Sequence, residues 1–264
     1  MNAIAKPWLA NYEPGVPSEI NPDEYSSLVE LLDKAFKDHA RRDMAAFMGV
    51  HMSFAQVDEM SRALAGWFQS LGLAKGARVA LMMPNVPQYV VAIAAVLRAG
   101  YVVVNVNPLY TPRELEHQLK DSGAEAIVIL ENFAVTLQEV VKRTAVKHIV
   151  LAAMGDLLPG LKGHLVNFVV RNVKKMVPAF SLPNDGQIRV TTFKKALAAG
   201  RSASYERPTM TGQDVAFLQY TGGTTGVSKG ATLTHRNVVA NILQCEAWFK
   251  PELGKVGDQQ LVIV

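Results

Sequence analysis

The fold is decided by residues 78–106, which read RVALMMPNVPQYVVAIAAVLRAGYVVVNV. This stretch predicts a buried strand at 78–83, a turn, a mostly apolar helix at 86–98 and a second buried strand at 101–106. A membrane span is not expected here, because Pro, Gln, Arg, Gly and Asn residues interrupt the apolar run. The pattern instead indicates a strand–helix–strand unit.

The same alternation continues along the chain. Further apolar strands are predicted at 126–130 and 148–152, with helices at 112–121 and 135–143 between the strands. Strands that are apolar throughout and are separated by helices are typical of a parallel sheet covered on both faces. The predicted fold class is therefore α/β, with a mainly parallel sheet covered by helices.

Three segments are predicted. Residues 1–24 read as an extended lead-in, and residues 25–201 as an N-terminal α/β subdomain. Residues 202–264 begin the next α/β unit, and their last five residues (260–264) read as a strand. Because a buried parallel strand is a poor place for a domain to end, we expect an incomplete N-terminal domain without its C-terminal domain.

Composition and charge exclude several classes of protein. The chain has 264 residues, of which 49% are hydrophobic and 19% charged, as in an ordinary globular protein. No secretory signal is expected at its N-terminus, and its one cysteine, Cys245, is expected to be a buried, inert thiol. A single cysteine fits a reducing compartment, so a cytoplasmic location is predicted.

The net charge of +4 is concentrated in one part of the chain. Between residues 156 and 201 eight cations accompany two anions, so the remainder is slightly acidic. No nucleic acid is expected as a partner, because the cations are not interleaved with aromatic residues and no reading module is present.

Within this basic amphipathic segment, 155–200, residues 165–177 are predicted to form an amphipathic helix. Helical spacing puts on one side Val166, Val169, Val170, Val173, Met176 and Val177, and on the other His164, Asn167, Arg171, Lys174 and Lys175. Two interpretations stay open: the helix packs on its own domain, or residues 162–177 contact an anionic membrane. The second would make the protein peripheral on the inner membrane face.

The stretch 220–231 carries the chemistry. Its residues are Tyr220, Thr221, Gly222, Gly223, Thr224, Thr225, Gly226, Val227, Ser228, Lys229, Gly230 and Ala231. Four glycines let the backbone approach a ligand, three threonines offer hydroxyl donors, and the lysine offers a mobile cation. The string is not a GxxxxGK[ST] loop, but it predicts a grip for a triphosphate or pyrophosphate.

The Thr-Gly-Gly-Thr-Thr-Gly-x-x-Lys-Gly string resembles the phosphate-binding signature of the adenylate-forming superfamily. The similarity covers nearly the whole chain. The string, with Leu-Thr-His-Arg-Asn at 233–237 after it, is most similar to bacterial long-chain fatty acid–CoA ligases. Many members have proline before the lysine where this chain has Ser228, a position at which bacterial long-chain ligases tolerate a small residue.

The resemblance implies a two-step activity. A long-chain fatty acid is adenylated by ATP with Mg²⁺, and the acyl group then passes to coenzyme A. It implies that Lys229 neutralises negative charge on the phosphates, and that Thr221, Thr224 and Thr225 orient the pyrophosphate.

The resemblance places the family's adenine, ribose and catalytic lysine elements beyond residue 264, so no catalytic residue is assigned. Among the histidines, His235 at the start of its helix could contact a phosphate or the substrate, but a capping or supporting role is favoured. No Cys/His cluster with metal-ligand spacing exists. The oligomeric state stays open. A non-catalytic nucleotide- or membrane-binding module remains the alternative function.

Overall fold

The computed structural model describes residues 6–221 and 228–256, with side chains up to residue 251. A short 3₁₀ helix, Pro7–Asn11, lies in the lead-in. The strands are β1 (Asp43–Phe47), β2 (Val50–Ser53), β3 (Arg78–Met82), β4 (Val102–Asn105), β5 (Ala126–Leu130), β6 (His148–Ala152), β7 (Arg189–Thr192), β8 (Val215–Thr221) and β9 (Lys229–Thr234). The α-helices are α1 (Leu28–Asp38), α2 (Phe54–Gln69), α3 (Pro87–Arg98), α4 (Pro112–Ser122), α5 (Ala134–Val140), α6 (Gly160–Phe168), α7 (Phe193–Ser202) and α8 (His235–Val256).

Seven of these strands form one sheet in the order β7-β6-β5-β3-β4-β8-β9. All neighbours are parallel except β8 and β9, which form an antiparallel hairpin. The mainly parallel α/β fold predicted from the sequence is confirmed. β1 and β2 form a separate antiparallel hairpin.

The central strands of the sheet are buried on both faces, and their alternate residues point to opposite faces. Val79 and Leu81 of β3 pack in one core, with α1, α2, α3, α7 and α8. Ala80 and Met82 pack in the other, with α4 and α5. This arrangement explains why the central strands carry no polar alternation.

The strands and helices predicted from local sequence patterns lie close to their predicted positions. β5 and β6 coincide with the predicted strands, and the run 86–106 is a helix followed by a strand. Ser53 caps α2 and Thr111 caps α4, each in a reciprocal capping box, with Pro112 as the first residue of α4. No helix within 6–221 and 228–256 is long and apolar enough to span a bilayer.

Several elements differ from prediction. β7 and α7 were not predicted, α6 begins before the helix predicted at 165–177, and β9 begins within the predicted phosphate-binding stretch 220–231. The predicted strand 260–264 lies outside the described residues. The predicted boundary at residue 202 stays a prediction; β8, on its far side, joins the sheet by pairing with β4.

The predicted faces of the basic amphipathic segment were correct in part: Val170 is buried and Lys174 and Lys175 are exposed as predicted, but three residues differ. Asn167, predicted on the polar side, is buried and accepts a hydrogen bond of 2.7 Å from the Gly155 amide. Val173 and Met176, predicted on the apolar side, are more than half exposed. A π-helical turn at Val169–Val173, which takes more residues per turn than an α-helix, rotates the side chain of Val173 around the axis, and Met176 lies beyond the end of the helix. Asn167 precedes that turn and is turned inward by its hydrogen bond with the Gly155 amide.

The prediction of a buried thiol was also wrong, because Cys245 is a free, exposed cysteine. α8 turns Val239 and Leu243, four residues apart, toward the core. Two residues further along, Cys245 has rotated by more than half a turn and faces away.

Candidate functional site

The hairpin of β8 and β9 forms one edge of the sheet. Its Thr221 and Lys229 end lies on the side where the parallel strands have their carboxyl ends. Asn105 of β4 pairs with Gln219 of β8, so the end of β8 at Thr221 lies beside the end of β4. In open α/β sheets ligands bind at this edge. Of the predicted phosphate-binding residues, Gly222, Gly223, Thr224, Thr225, Gly226 and Val227 lie outside the described residues, and the other six flank them.

The two flanks are held together by strand pairing. Thr221 lies opposite Lys229, and Tyr220 lies opposite Gly230. Residues directly opposite in an antiparallel pair share a face of the sheet, so the exposed Thr221 and Lys229 side chains stand next to each other. Within the described part of the chain, no carboxylate forms an ion pair with Lys229. A hydroxyl and an available ammonium group therefore point to the same side.

Tyr220 faces the opposite way and is buried. Its hydroxyl donates to Asp121 Oδ2 on α4 at an O–O distance of 2.5 Å. Burial, and then the neighbouring Asp121 carboxylate, raise the pKa of the Tyr220 phenol, which stays protonated and donates. A Cβ on Gly230 would lie 3.0 Å from two carbons of the Tyr220 ring, so the glycine lets β9 lie flat against it.

A second contact from α4 reaches the other flank. His117 Nε2 lies 3.1 Å from the main-chain carbonyl oxygen of Ser228, the residue before Lys229. Neither His117 nor Asp121 was predicted as part of the site. Their partners lie 111 and 99 residues further along the chain, so no local pattern joins them.

A cleft of about 450 Å³ lies on the same face of the sheet as Thr221 and Lys229. Its lining comes from β4, β8, β9 and α8 and combines apolar and amide side chains: Asn105, Phe217, Gln219, Leu233, Asn237, Val238 and Asn241. Asn105 Nδ2 donates to Gln219 Oε1 at 2.9 Å, and Tyr89 donates its hydroxyl to Asn105 Oδ1 at the same distance. These bonds fix the amide groups at the strand ends.

His235, the first residue of α8, contacts the start of α1 rather than capping its own helix. It is buried, and its Nδ1 accepts a hydrogen bond of 3.2 Å from the Leu28 amide at the start of α1. Burial lowers the pKa of His235, which keeps Nδ1 free to accept. Thr234 caps α8 by accepting from the Asn237 amide. In the described residues, no group of three or more His, Cys, Asp or Glu side chains could hold a metal ion.

Comparison with known proteins agrees with this geometry. A family model described as "AMP-binding enzyme" matches residues 32–264. A long-chain-fatty-acid–CoA ligase of Salmonella typhimurium is 54% identical over 251 residues, which are 95% of this chain and 44% of the ligase. One from Bacillus subtilis is 34% identical over 245 residues, 92% of this chain and 42% of its own length. The chain thus spans less than half the length of these relatives.

Solved structures share the fold. A long-chain-fatty-acid-CoA ligase from Archaeoglobus fulgidus superposes with a TM-score of 0.66 at 26% identity, covering 89% of this chain and 42% of the other. An anthranilate CoA ligase superposes with a TM-score of 0.64 at 19% identity, covering 82% and 37%. At that identity the likeness concerns the fold alone.

Proposed function

The chain belongs to the AMP-binding enzyme family, and from this premise we propose that it serves the ATP-dependent activation of long-chain fatty acids. The observation that carries the proposal is the 54% identity, over 95% of the chain, to a long-chain-fatty-acid–CoA ligase. The exposed pair of Thr221 and Lys229 beside the end of β8 supplies a hydroxyl and a cation where a polyphosphate is expected. Against the alternative of a non-catalytic module, the relatives described above are ligases.

The proposed reaction has two steps. An oxygen of the fatty carboxylate attacks the α-phosphorus of ATP, the bond to the bridging oxygen of the β-phosphate breaks, and pyrophosphate leaves. The thiolate of coenzyme A then attacks the acyl carbon and displaces AMP, forming the thioester. Negative charge builds up on the bridging oxygen in the first step, and a nearby cation stabilises it.

The predicted lysine and threonines have proposed roles in the first step. Lys229 neutralises the leaving pyrophosphate, and Thr221, with Thr224 and Thr225, orients the phosphate oxygens. The cleft next to them offers apolar side chains beside fixed amides, which suits part of an acyl-adenylate. Mg²⁺ would be carried mainly by the phosphates of ATP, since it is commonly bound through substrate phosphates and one or two carboxylates. No residue is assigned to coenzyme A.

The test is fatty-acid-dependent exchange between ATP and pyrophosphate. An enzyme of the relatives' full length that carries these 264 residues is expected to catalyse exchange with palmitate. The 264-residue chain by itself is expected not to, because it spans under half of that length. Exchange that is absent from the longer enzyme, or indifferent to the fatty acid, would contradict the proposal.

A second proposal concerns a membrane surface, because a long-chain fatty acid partitions into bilayers. The basic amphipathic segment exposes five large apolar side chains: Leu161, Leu165, Phe168, Val173 and Met176. Leu161, at 85% exposed, is followed one and two turns later by Leu165 and Phe168, so they form one stripe. Lys174 and Lys175 are exposed nearby. Apolar side chains beside cations suit an anionic bilayer, and the protein would lie on the inner membrane face.

Arg171, predicted as a lipid-facing cation, has another partner. Its Nε and Nη2 lie 2.9 and 2.8 Å from the two carboxylate oxygens of the buried Glu131. The lipid-facing cations are therefore Lys174 and Lys175, each contributing about 1 kcal/mol near an anionic surface. The apolar stripe contributes in addition wherever it is removed from water.

Sedimentation with vesicles tests this surface. Wild type is expected to bind vesicles that contain phosphatidylglycerol, and to bind more weakly as salt rises. The double variants Leu165→Ser/Phe168→Ser and Lys174→Glu/Lys175→Glu are expected to lose binding. Leu109→Ser is the control, because Leu109 is 81% exposed and lies outside the segment. Equal binding by all four proteins would show that this surface does not contact lipid.

A further inference from the structure

Both described flanks of the phosphate loop are attached to one face of α4. On the first flank the Tyr220 hydroxyl donates to Asp121, and on the second His117 contacts the Ser228 carbonyl. Because a carbonyl oxygen can only accept, His117 Nε2 must carry the proton and donate. His117 and Asp121 are four residues apart, so the same side of the helix presents both.

α4 is itself fixed to the sheet. Leu115 and Leu119 are fully buried in the core on that face, and Gln118 Nε2 donates to the Asn105 carbonyl at 2.7 Å. The capping box at Thr111 satisfies amides of the first turn. α4 is therefore rigidly held against the sheet, and it is the next helix along the chain after β4.

Contacts through the Tyr220 ring and the Ser228 carbonyl link α4 to the backbone on either side of Lys229. The Tyr220 ring, held by Asp121, lies against Gly230, where even a Cβ would come within 3.0 Å of the ring. Lys229 precedes Gly230, and the His117 contact is made to the peptide carbonyl immediately before Lys229. The backbone on both sides of Lys229 thus rests on α4.

We propose that His117 and Asp121 are positioning residues, which hold Thr221 and Lys229 in the geometry that binds a polyphosphate. The inference rests on the proposed function of the loop. Neither side chain needs to touch the nucleotide: His117 acts through the Ser228 peptide, and Asp121 acts through the Tyr220 ring. Residues held by packing and by second contacts of this kind keep a site within the narrow tolerance that binding requires.

The test is a phosphorus NMR titration of pyrophosphate with the 264-residue chain and its variants. His117→Leu and Asp121→Ala remove one hydrogen bond each, and each is expected to weaken pyrophosphate binding by about three- to tenfold. His117→Gln keeps an N–H donor and Asp121→Asn keeps an oxygen acceptor, so both are expected to restore most of the affinity.

The matched control is Glu116→Gln on the same helix. Glu116 bonds Lys120 and Arg143 at the surface and makes no contact with the loop flanks. This variant loses ion pairs as the others lose hydrogen bonds, but its pyrophosphate affinity is expected to equal that of wild type. Thermal unfolding of every variant separates lost affinity from lost structure.

The outcomes distinguish this inference from the proposed function. If wild type fails to bind pyrophosphate, the assignment of the loop falls and this inference falls with it. If wild type binds and Lys229→Ala does not, the loop assignment stands, and unchanged affinity in His117→Leu and Asp121→Ala would overturn the positioning role alone. Equal losses in His117→Leu and His117→Gln would also overturn it, because the hydrogen bond would then not be what matters.

Discussion

Two cationic side chains in this fold have opposite surroundings. Arg98, at the end of α3, is fully buried and lies between two carboxylates, at 2.5 Å from Asp33 and in contact with Asp58. Its Nη1 also donates to Ser61 at 2.5 Å. Lys229, at the start of β9, is exposed, and no carboxylate in the described part of the chain pairs with it.

The difference separates a structural charge from one that is available to a ligand. A buried charge is tolerated only when it is paired and hydrogen-bonded, and its partners here come from α1 and α2, which Arg98 joins to α3. A cation meant for a polyphosphate must keep its donors free until the ligand arrives. Substitution should therefore cost stability at Arg98 and function at Lys229.

The largest expected effect is the loss of stability in Arg98→Met. Removing the guanidinium breaks a buried ion pair and leaves Asp33 and Asp58 with weaker, more exposed partners, which costs about 3–5 kcal/mol of unfolding free energy. Arg62→Met is the control, because Arg62 bonds Asp58 at 3.0 Å but is 48% exposed, and its loss should cost less than about 1 kcal/mol. Urea unfolding measures both, and similar losses would remove the distinction between the two arginines.

The complementary prediction concerns Lys229→Ala. In the full-length enzyme, loss of this cation should lower kcat/KM for adenylation. The decrease should correspond to a loss of about 2–4 kcal/mol of transition-state stabilisation. The free energy of unfolding should change by less than about 0.5 kcal/mol, since an exposed side chain is removed. Lys195→Ala is the control, because Lys195 follows β7 at the opposite edge of the sheet. If Lys229→Ala unfolds more easily but adenylates normally, Lys229 contributes to stability and not to the reaction.

The sequence was most informative where a segment's own residues determine its structure. The buried strands β5 and β6 have the predicted bounds because they are apolar runs between helices, and Ser53 and Thr111 cap their helices through residues three positions away. β7 and β9 were missed because they lie at the edges of the sheet and are largely polar. What makes them strands is the partner beside them.

The site was predicted in part for the same reason. Thr221 and Lys229 could be proposed as phosphate-binding residues because the sequence between them has a recognisable order of glycines and threonines. His117 and Asp121 were not found, since a histidine and an aspartate on a polar helix face carry no pattern of their own. Likewise, no periodicity shows the π-helical turn at Val169–Val173, which exposes Val173, or the hydrogen bond from the Gly155 amide, which holds Asn167 inward.

A smaller effect is expected at Gly230, where the hairpin meets the Tyr220 ring. Gly230→Ala would place a methyl group 3.0 Å from two ring carbons and should cost about 1–2 kcal/mol of unfolding free energy through overpacking. In a Tyr220→Leu background the same substitution should cost clearly less, because the ring is gone. A double-mutant cycle in urea measures the coupling, and additive effects would contradict the contact.

The smallest expected effect is a pH-dependent one on the outer side of α4. The hydrogen bonds from Arg143 and then Lys120 lower the pKa of Glu116 from its ordinary value of 4.5 to about 2. Because the pKa of the folded state is the lower one, the stabilisation is complete above pH 4.5 and is lost as the pH falls from 4.5 toward 2. Thermal unfolding of wild type and Glu116→Gln should differ slightly at neutral pH and converge in acid. High salt should shrink the difference, because the carboxylate lies at the surface. A stability difference that persists at pH 2 would contradict the ion pairs as its source. A change in pyrophosphate affinity in Glu116→Gln would show that these surface ion pairs affect the face of α4 that contacts the loop flanks.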